Sequence, residues 1–532
     1  MANYNLVELV HRPAVLVPAI LAVAYVLYRL LLQPSRLPDL PVLNARKGEW
    51  FSYYRATWRN TKDFKAACVL ARTQYRDQAC LVPMLGTRPS VLLPAKNTKF
   101  VIDNPENVLG LHEAVMDSLQ SDYTMGERLI REPVHHTLIT TTLTNQTGNL
   151  IPDLAEETEH SLDELWGTDT GDWRQVCIYT SLQRSIGRVT NRIFVGKPVC
   201  RDPELLKRGI ALAMGVPQTS QLLRLFPDLL KPLVAPIITI PKMLHQRAFF
   251  KVLRPTIEQR LRDYEERHRD LEKNKALGPE PNDFLQWLVN QAKEMGDPWY
   301  SKPSTLALRV QVLNFASIHT SSFAITGVIL DLVASKPEYI EEMREEIRNV
   351  LAAHGGKWNK RALAEMQKVD SAFRESQRLN SFVTVGLGRT VVAKDGITTP
   401  EGLHIPPGNK VCVPCYGTHH DPGVYEAPDE FRPCRFSEMR KVADDKEADQ
   451  GSYLSRARKQ WATTTTDFLG FGHGRGACPG RFFAAAELKL MLAYLILNYD
   501  FEMLQERPRN MWFALNRVPP MEQTIRVRRR AA

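Results

Sequence analysis

A chain of 532 residues with 44% apolar side chains has the make-up of a globular protein with a large core. Its formal net charge of +10 admits nucleic acid, an anionic membrane or an acidic protein as partner. The bases are dispersed, however, and only the tail at Arg526, Arg528, Arg529 and Arg530 is dense, so nucleic-acid binding is set aside. Eight cysteines, Cys68, Cys80, Cys177, Cys200, Cys412, Cys415, Cys434 and Cys478, lack regular spacing. They do not read as a disulfide framework and point to a reducing compartment.

The first element in chain order is apolar. Pro13 to Tyr28 carries no charge, and Leu30, Leu31 and Leu32 extend it past Arg29 to about 20 residues, enough to cross a bilayer as a helix. Arg29 snorkels to the interface and Pro18 is tolerated inside a membrane helix. The stretch is long for a cleaved signal peptide, and no small-x-small site follows it. Residues 1–33 therefore read as a membrane anchor. Arg29, Arg36, Arg46 and Lys47 follow the segment against Arg12 before it, a bias that places the body on the cytosolic side. Residues 34–44, with Pro34, Pro38 and Pro41, read as a stiff linker because each proline fixes its φ.

Residues 45–532 read as one mainly α domain with small β-sheets. Helical periodicity fills residues 45–380, as in Ile257 to Glu272 and Pro337 to Ala353, where Tyr339, Met343, Ile347 and Leu351 recur at helical spacing. Leu306 to Leu332 is apolar with few charges and predicts a buried central helix. Between 381 and 415 the texture turns to β: Phe382 to Val385, Thr390 to Val392 and Lys410 to Val413, punctuated by Gly386, Gly388, Gly396, Gly402 and Gly408. Helical periodicity returns after Pro479. No internal repeat or low-complexity tract interrupts the chain.

Four constellations carry chemistry. The first is Phe471-Gly472-His473-Gly474-Arg475-Gly476-Ala477-Cys478-Pro479-Gly480. Its glycines allow tight turns and close approach to something flat, and Cys478 stands just before a helix, whose N-terminus favours a thiolate. The plain alternatives are a buried structural cysteine or a phosphate loop. The second is Glu375 with Arg378, on one face of a helix; the third is Arg435 between Phe431 and Phe436. Either is by itself an ordinary ion-pair signal. The fourth is the polar run Ser317, His319, Thr320 and Ser321 inside the apolar central helix. Such residues either bond back to carbonyls one turn earlier or open the helix for a ligand and proton relay.

In this order and spacing the four features resemble the cytochrome P450 family along nearly the whole chain. Ala477-Cys478-Pro479-Gly480-Arg481-Phe482-Phe483 and Ala316-Ser317-Ile318-His319-Thr320-Ser321 are most similar to fungal members of secondary metabolism. The resemblance implies a P450 fold holding haem b, with Cys478 as the iron ligand and Phe471 and Gly472 packing beside it. Glu375, Arg378 and Arg435 become a buried network, and Thr320 the residue that helps protonate iron-bound oxygen. Arg389 and His135 or His136 fall where propionate contacts are expected, with Arg475 as the base of the loop itself. The chain departs from the family at Gly476, where Arg or His is usual, and at His319, where an acid is usual. Arg389 is then the expected propionate anchor, and His319 either relays protons near neutral pH or simply hydrogen-bonds within the helix.

The resemblance further implies a microsomal monooxygenase: single-pass in the endoplasmic reticulum, monomeric, and fed electrons from NADPH by NADPH–cytochrome P450 reductase. Arg475, Arg481 and Lys489 are candidate docking bases. Its substrate would be a small hydrophobic intermediate of fungal secondary metabolism, terpenoid or meroterpenoid, hydroxylated or oxidised in several steps. The apolar run from Leu222 to Ile240 would form a lipophilic approach near the membrane. A haem-dependent isomerase needing no reductase is the alternative, and Thr320 argues against it. Three weaker signals read as structural or silent: Cys412-Val413-Pro414-Cys415 lacks a zinc-spaced partner, His419-His420-Asp421 precedes the Arg435 segment, and the sequon Asn145-Gln146-Thr147 is silent in a cytosolic body.

Overall fold

The central apolar stretch dictates the architecture. In the computed structural model, which describes residues 37–269, 276–444 and 457–531 together with positions 17 and 20, it forms a helix that the rest of the domain wraps. The proposed anchor and the start of the linker lie outside the described residues.

In chain order the elements that build the site are as follows. Helix α1 (Ser52–Lys62) precedes the hairpin β1 (Cys80–Val82) and β2 (Ser90–Leu92). Strand β3 (Leu109–Gly110) leads into α2 (Leu111–Leu119), α3 (Ser121–Thr124) and α4 (Val134–Leu138), the last continuing through one π-helical turn, Ile139–Leu143, into α5 (Thr144–Trp166). Strand β4 (Arg174–Cys177) is followed by α6 (Ile178–Phe194), α7 (Pro203–Arg224) and α8 (Ile240–Arg269). The central helix is α9 (Pro303–Val333), followed by α10 (Pro337–Ala353) and α11 (Gln367–Leu379). Strands β5 (Gly386–Val391) and β6 (Lys410–Val413), helices α12 (Arg435–Asp444) and α13 (Arg481–Asn498), and strands β7 (Tyr499–Phe501) and β8 (Thr524–Arg529) complete the fold.

Helix α9 is long and apolar enough to span a membrane, but Leu306, Val310, Ile318, Ile325 and Leu330 are fully buried. It packs on α6, α7, α8, α11 and α13, so hydrophobic burial on every side holds it in the core rather than in lipid. Helix α10 coincides with the periodic stretch read from the sequence. Helix α8 runs from Ile240 to Arg269 with Pro255 inside it, and takes in the periodic stretch that begins at Ile257.

Five strands form a mixed sheet in the order β1-β2-β6-β5-β3, and three form a second sheet, β4-β8-β7. The expected strand Phe382 to Val385 is absent; Val383 makes only a single bridge, to Asn516. Phe382 stacks instead on Phe323 of α9, with ring centroids 5.4 Å apart. The strand proper begins at Gly386, and a bulge between Gly386 and Arg389, with Leu387 at φ 53°, shifts its register against β6. Bulges re-aim side chains, and this one sets where Arg389 emerges.

Candidate active site

The cysteine loop closes on itself. Gly472 and Gly474 take φ of 70° and 68°, a left-handed backbone that favours glycine. Cys478 N–H donates to Phe471 O at 2.7 Å, which brings the cysteine back to the start of the loop. Seven of the eight cysteines are buried or half-buried, whereas Cys478 alone is exposed, which removes the reading of a buried structural thiol. Desolvation pushes the thiol up, and the N–H groups of Gly480 and Arg481 at the head of α13 pull it down. Arg481 Nη1 donates to Cys478 O at 2.8 Å and fixes the turn from loop to helix.

Helix α11 clamps this loop. Trp461 stacks on Phe373 (4.3 Å between centroids) and packs against Phe471 (5.5 Å). Its Nε1 donates to Gln377 Oε1 at 2.6 Å, while Gln377 Nε2 donates to Gly470 O at 3.0 Å. Neither Trp461 nor Gln377 stands out in the sequence, although Gln377 lies inside Glu375-Ser376-Gln377-Arg378.

The charged signals converge fully. Arg378 Nε and Nη2 both meet the Glu375 carboxylate at 2.9 Å, and Arg435 Nε reaches Glu375 Oε1 at 2.9 Å. The remaining guanidinium hydrogens are also used: Arg378 donates to the carbonyls of His419 (2.7 Å) and Pro428 (2.6 Å), and Arg435 to that of Glu426 (2.6 Å). All three side chains are buried. A buried ion pair survives only when its other hydrogen-bonding capacity is met, and here it is. His419 belongs to the same clamp, since its Nε2 accepts from Leu469 N–H at 2.9 Å and burial drives its pKa well down.

On α9, Ser317 and Ser322 bond back to Leu313 O (2.8 Å) and Ile318 O (2.6 Å), the bland role. Thr320 makes the same back-bond but, with Ala316 four residues earlier on one face, is exposed within an otherwise buried helix. Thr320 Oγ1 donates to Ala316 O at 2.6 Å. His319 is buried and turned to the neighbouring helices. Tyr179 OH lies 2.7 Å and Gln183 Nε2 3.0 Å from its Nδ1, while its Nε2 faces Ile210 O at 3.4 Å. Gln183 also donates to Tyr179 OH, so Tyr179 donates onward and Nδ1 is the acceptor. The imidazole is thus the Nε2–H tautomer, and burial lowers its pKa, keeping it neutral.

Arg389 and Gly476 prove to be neighbours. A Cβ placed on Gly476 would lie 2.3 Å from Arg389 Nη2 and 3.3 Å from Leu111 Cδ2. The guanidinium therefore occupies the space that any side chain at 476 would need. Arg389 is buried, its Nη1 donates to Gly388 O at 3.0 Å, and desolvation lowers its pKa. His135 and His136 part company. His135 is buried behind α4, its Nδ1 3.1 Å from Arg309 Nη1, with burial lowering its pKa to about 3; His136 is exposed. Arg475 is exposed on the outer side of the loop, 3.5 Å from Asp103 O. Lys489 does not belong with the docking bases: it is buried and paired with Asp370 at 3.2 Å, because position 489 falls on the core side of α13.

An exposed cysteine at a helix head, backed by a satisfied ionic clamp and accompanied by a threonine exposed on the unbroken central helix, fits a cysteine-ligated haem oxygenase. The comparisons agree. Residues 121–522 match the family model for cytochrome P450. The chain is 32% identical over 496 residues to cytochrome P450 monooxygenase gloP of Glarea lozoyensis, covering 91% of this chain and 89% of that protein. It is 29% identical over 531 residues to cytochrome P450 monooxygenase astC of Aspergillus terreus, covering 97% of each. Among solved structures, retinoic acid-bound cyanobacterial CYP120A1 superposes with a TM-score of 0.64 over 93% of this chain and 99% of that one, at 17% identity. This chain belongs to the cytochrome P450 family and is a P450 monooxygenase, for which a haem-thiolate cofactor, a redox partner and a substrate follow.

Proposed function

We propose that this P450 oxidises a hydrophobic intermediate of fungal secondary metabolism, terpenoid in type, with Cys478 as its iron ligand. The observation that carries the reading is the exposure of Cys478 at the head of α13, alone among eight cysteines. The residues suit a haem: a thiol at a helix head, glycine surface across the loop, and a cation, Arg389, laid over Gly476. When bound, the haem supplies oxygen activation, favoured by electron donation from its thiolate. Phe471 and Gly472 line the sulfur side. Arg389 is the propionate anchor, taking the place of the base that the loop lacks at 476, with exposed His136 in a better position than buried His135 to assist. Thr320 Oγ1, on the exposed strip of α9, holds the proton that the chemistry requires. His319, neutral and engaged with Tyr179, orients this stretch of α9.

The exposed apolar surface supports a membrane-bound enzyme in the endoplasmic reticulum. Leu225 (59% exposed), Leu229 (86%), Leu233 (72%) and Ile237 (69%) follow α7, while Trp50 (81%) precedes α1 and Trp58 (63%) lies on it. The β1–β2 turn joins the two groups: Leu85 N–H donates to Thr61 Oγ1 at 3.0 Å, and the Cβ position of Gly86 lies 3.5 Å from Leu225 Cδ2. An exposed apolar surface of this kind marks an interaction surface, and a bilayer held close by residues 1–33 suits it. Electrons come from NADPH through a reductase, with exposed Arg475 on the side it would approach.

The test is spectroscopic. Reduced, carbon monoxide-treated protein gives a strongly red-shifted Soret band, and Cys478→Ala loses it. A wild type without the band, or a variant that keeps it, overturns the assignment.

A further inference from the structure

Three lysines are buried among the described residues: Lys231, Lys242 and Lys489. Two have carboxylates, since Lys231 pairs with Asp228 at 2.7 Å and Lys489 with Asp370 at 3.2 Å. Lys242 has none. Its Nζ donates to the backbone carbonyl of Thr124, and burial lowers its pKa to about 8. A buried ammonium without a counter-charge is costly, and such groups gather at functional sites.

The surroundings are polar as well. Ser121, three residues before Thr124 in α3, is fully buried and its hydroxyl has no hydrogen-bond partner. The stem of Lys242 lies along α7, with Cγ 3.7 Å from the Cβ position of Gly215, so this glycine leaves room for the lysine. Thr219, one turn beyond Gly215 on the same face, is buried too. The junction of α3, α7 and α8 also lies close to the site. Ile210 of α7 faces His319, next to Thr320, and Gly215 is five residues further on, about 7.5 Å along the helix at 1.5 Å per residue.

From this cluster we infer that Lys242, with Ser121, binds an anionic group, a carboxylate, at one end of the substrate, leaving the apolar remainder to extend toward the Ala316–Thr320 strip. The substrate is thus a hydrophobic acid. This rests on the haem monooxygenase reading and adds the charge that the substrate carries. One ammonium and one hydroxyl supply the donors that a buried carboxylate needs.

The experiment titrates haem-loaded wild-type protein with dodecanoate and with methyl dodecanoate, following the Soret shift. The acid binds about tenfold or more tightly than the ester, the scale of one charge-assisted hydrogen bond. Lys242→Met removes the preference and Lys242→Arg keeps most of it. Equal binding of acid and ester by wild type overturns the inference, and needs no variant to fold. So does a Lys242→Met protein that weakens both ligands alike, which makes the lysine only a latch between α8 and α3. The carbon monoxide band of the same sample separates the two failures: with the band present and no preference, only the substrate inference falls; with the band absent, both fall.

Discussion

Replacing Gly476 by alanine tests how this loop manages without its usual base. The new Cβ would stand 2.3 Å from Arg389 Nη2, closer than any stable contact, so the guanidinium must swing away. Arg389 is 7% exposed, and its head group is the mobile end of a flexible chain, so the folding cost sits near the low end of the about 1–3 kcal/mol typical of overpacking. The larger effect falls on the haem. A displaced cation forfeits a charge-assisted hydrogen bond to a propionate, about 1.5–3 kcal/mol, or roughly a 10- to 100-fold faster loss of the group. Transfer of haem to excess apomyoglobin measures that rate directly, without reference to turnover. Arg389→Met raises it as well, and the double variant Gly476→Arg with Arg389→Met recovers much of the retention, because the second change clears the space the first requires. Unchanged transfer in Gly476→Ala, or a double variant worse than either single one, refutes the reasoning.

Thr320→Ala leaves haem content and melting temperature nearly unchanged, since the hydroxyl's one close bond is to Ala316 O in its own helix and alanine favours helix; NADPH oxidation continues while peroxide release rises, and tight coupling in the variant would count against a proton role for Thr320 Oγ1. Glu375→Gln leaves two buried guanidinium groups facing a neutral amide, a loss of about 3–5 kcal/mol; the yield of soluble haem-containing protein and the urea midpoint fall together, and an unchanged midpoint contradicts this. Glu487 is buried with Thr190 Oγ1 2.7 Å from its Oε1, and burial raises its pKa to about 8. The unfolded chain releases that proton near the usual carboxylate value while the folded chain retains it, so stability is fully present at low pH and falls as pH rises toward 8, by about 1.4 kcal/mol per unit. Glu487→Gln flattens this slope between pH 5 and 8 in urea titrations, and parallel slopes in the two proteins would exclude a titrating Glu487.

The local pattern carried some elements better than others. Helix α10 was fully legible because its apolar residues recur at one period and no breaker interrupts them. Helix α8 was legible from Ile257 onward, while its first turns from Ile240 belong to the packing against α7. The strand near residue 385 was displaced because Phe382 is used in a stack on Phe323 instead of in a ladder, and no run of apolar residues distinguishes those fates. The same holds at the site. Cys478, Glu375, Arg378 and Arg435 are conspicuous as residue types at set spacings, whereas Trp461 and Gln377 act through contacts that spacing does not encode.

The sequence by itself determined the chemistry available: one cysteine in a glycine loop before a helix, an acid and two bases in order, and a threonine within an apolar helix. Periodicity and residue type are local properties, so they survive in one dimension. Only the tertiary structure decided which groups have free capacity. It left Cys478 exposed and buried its seven counterparts to varying degrees, put Arg389 where Gly476 has no side chain, spent His135 on Arg309 and Lys489 on Asp370, and turned His319 toward Tyr179. Those outcomes depend on pairings between residues far apart in the chain, and burial fixes the charge and partner of each group only once the chain has packed around it.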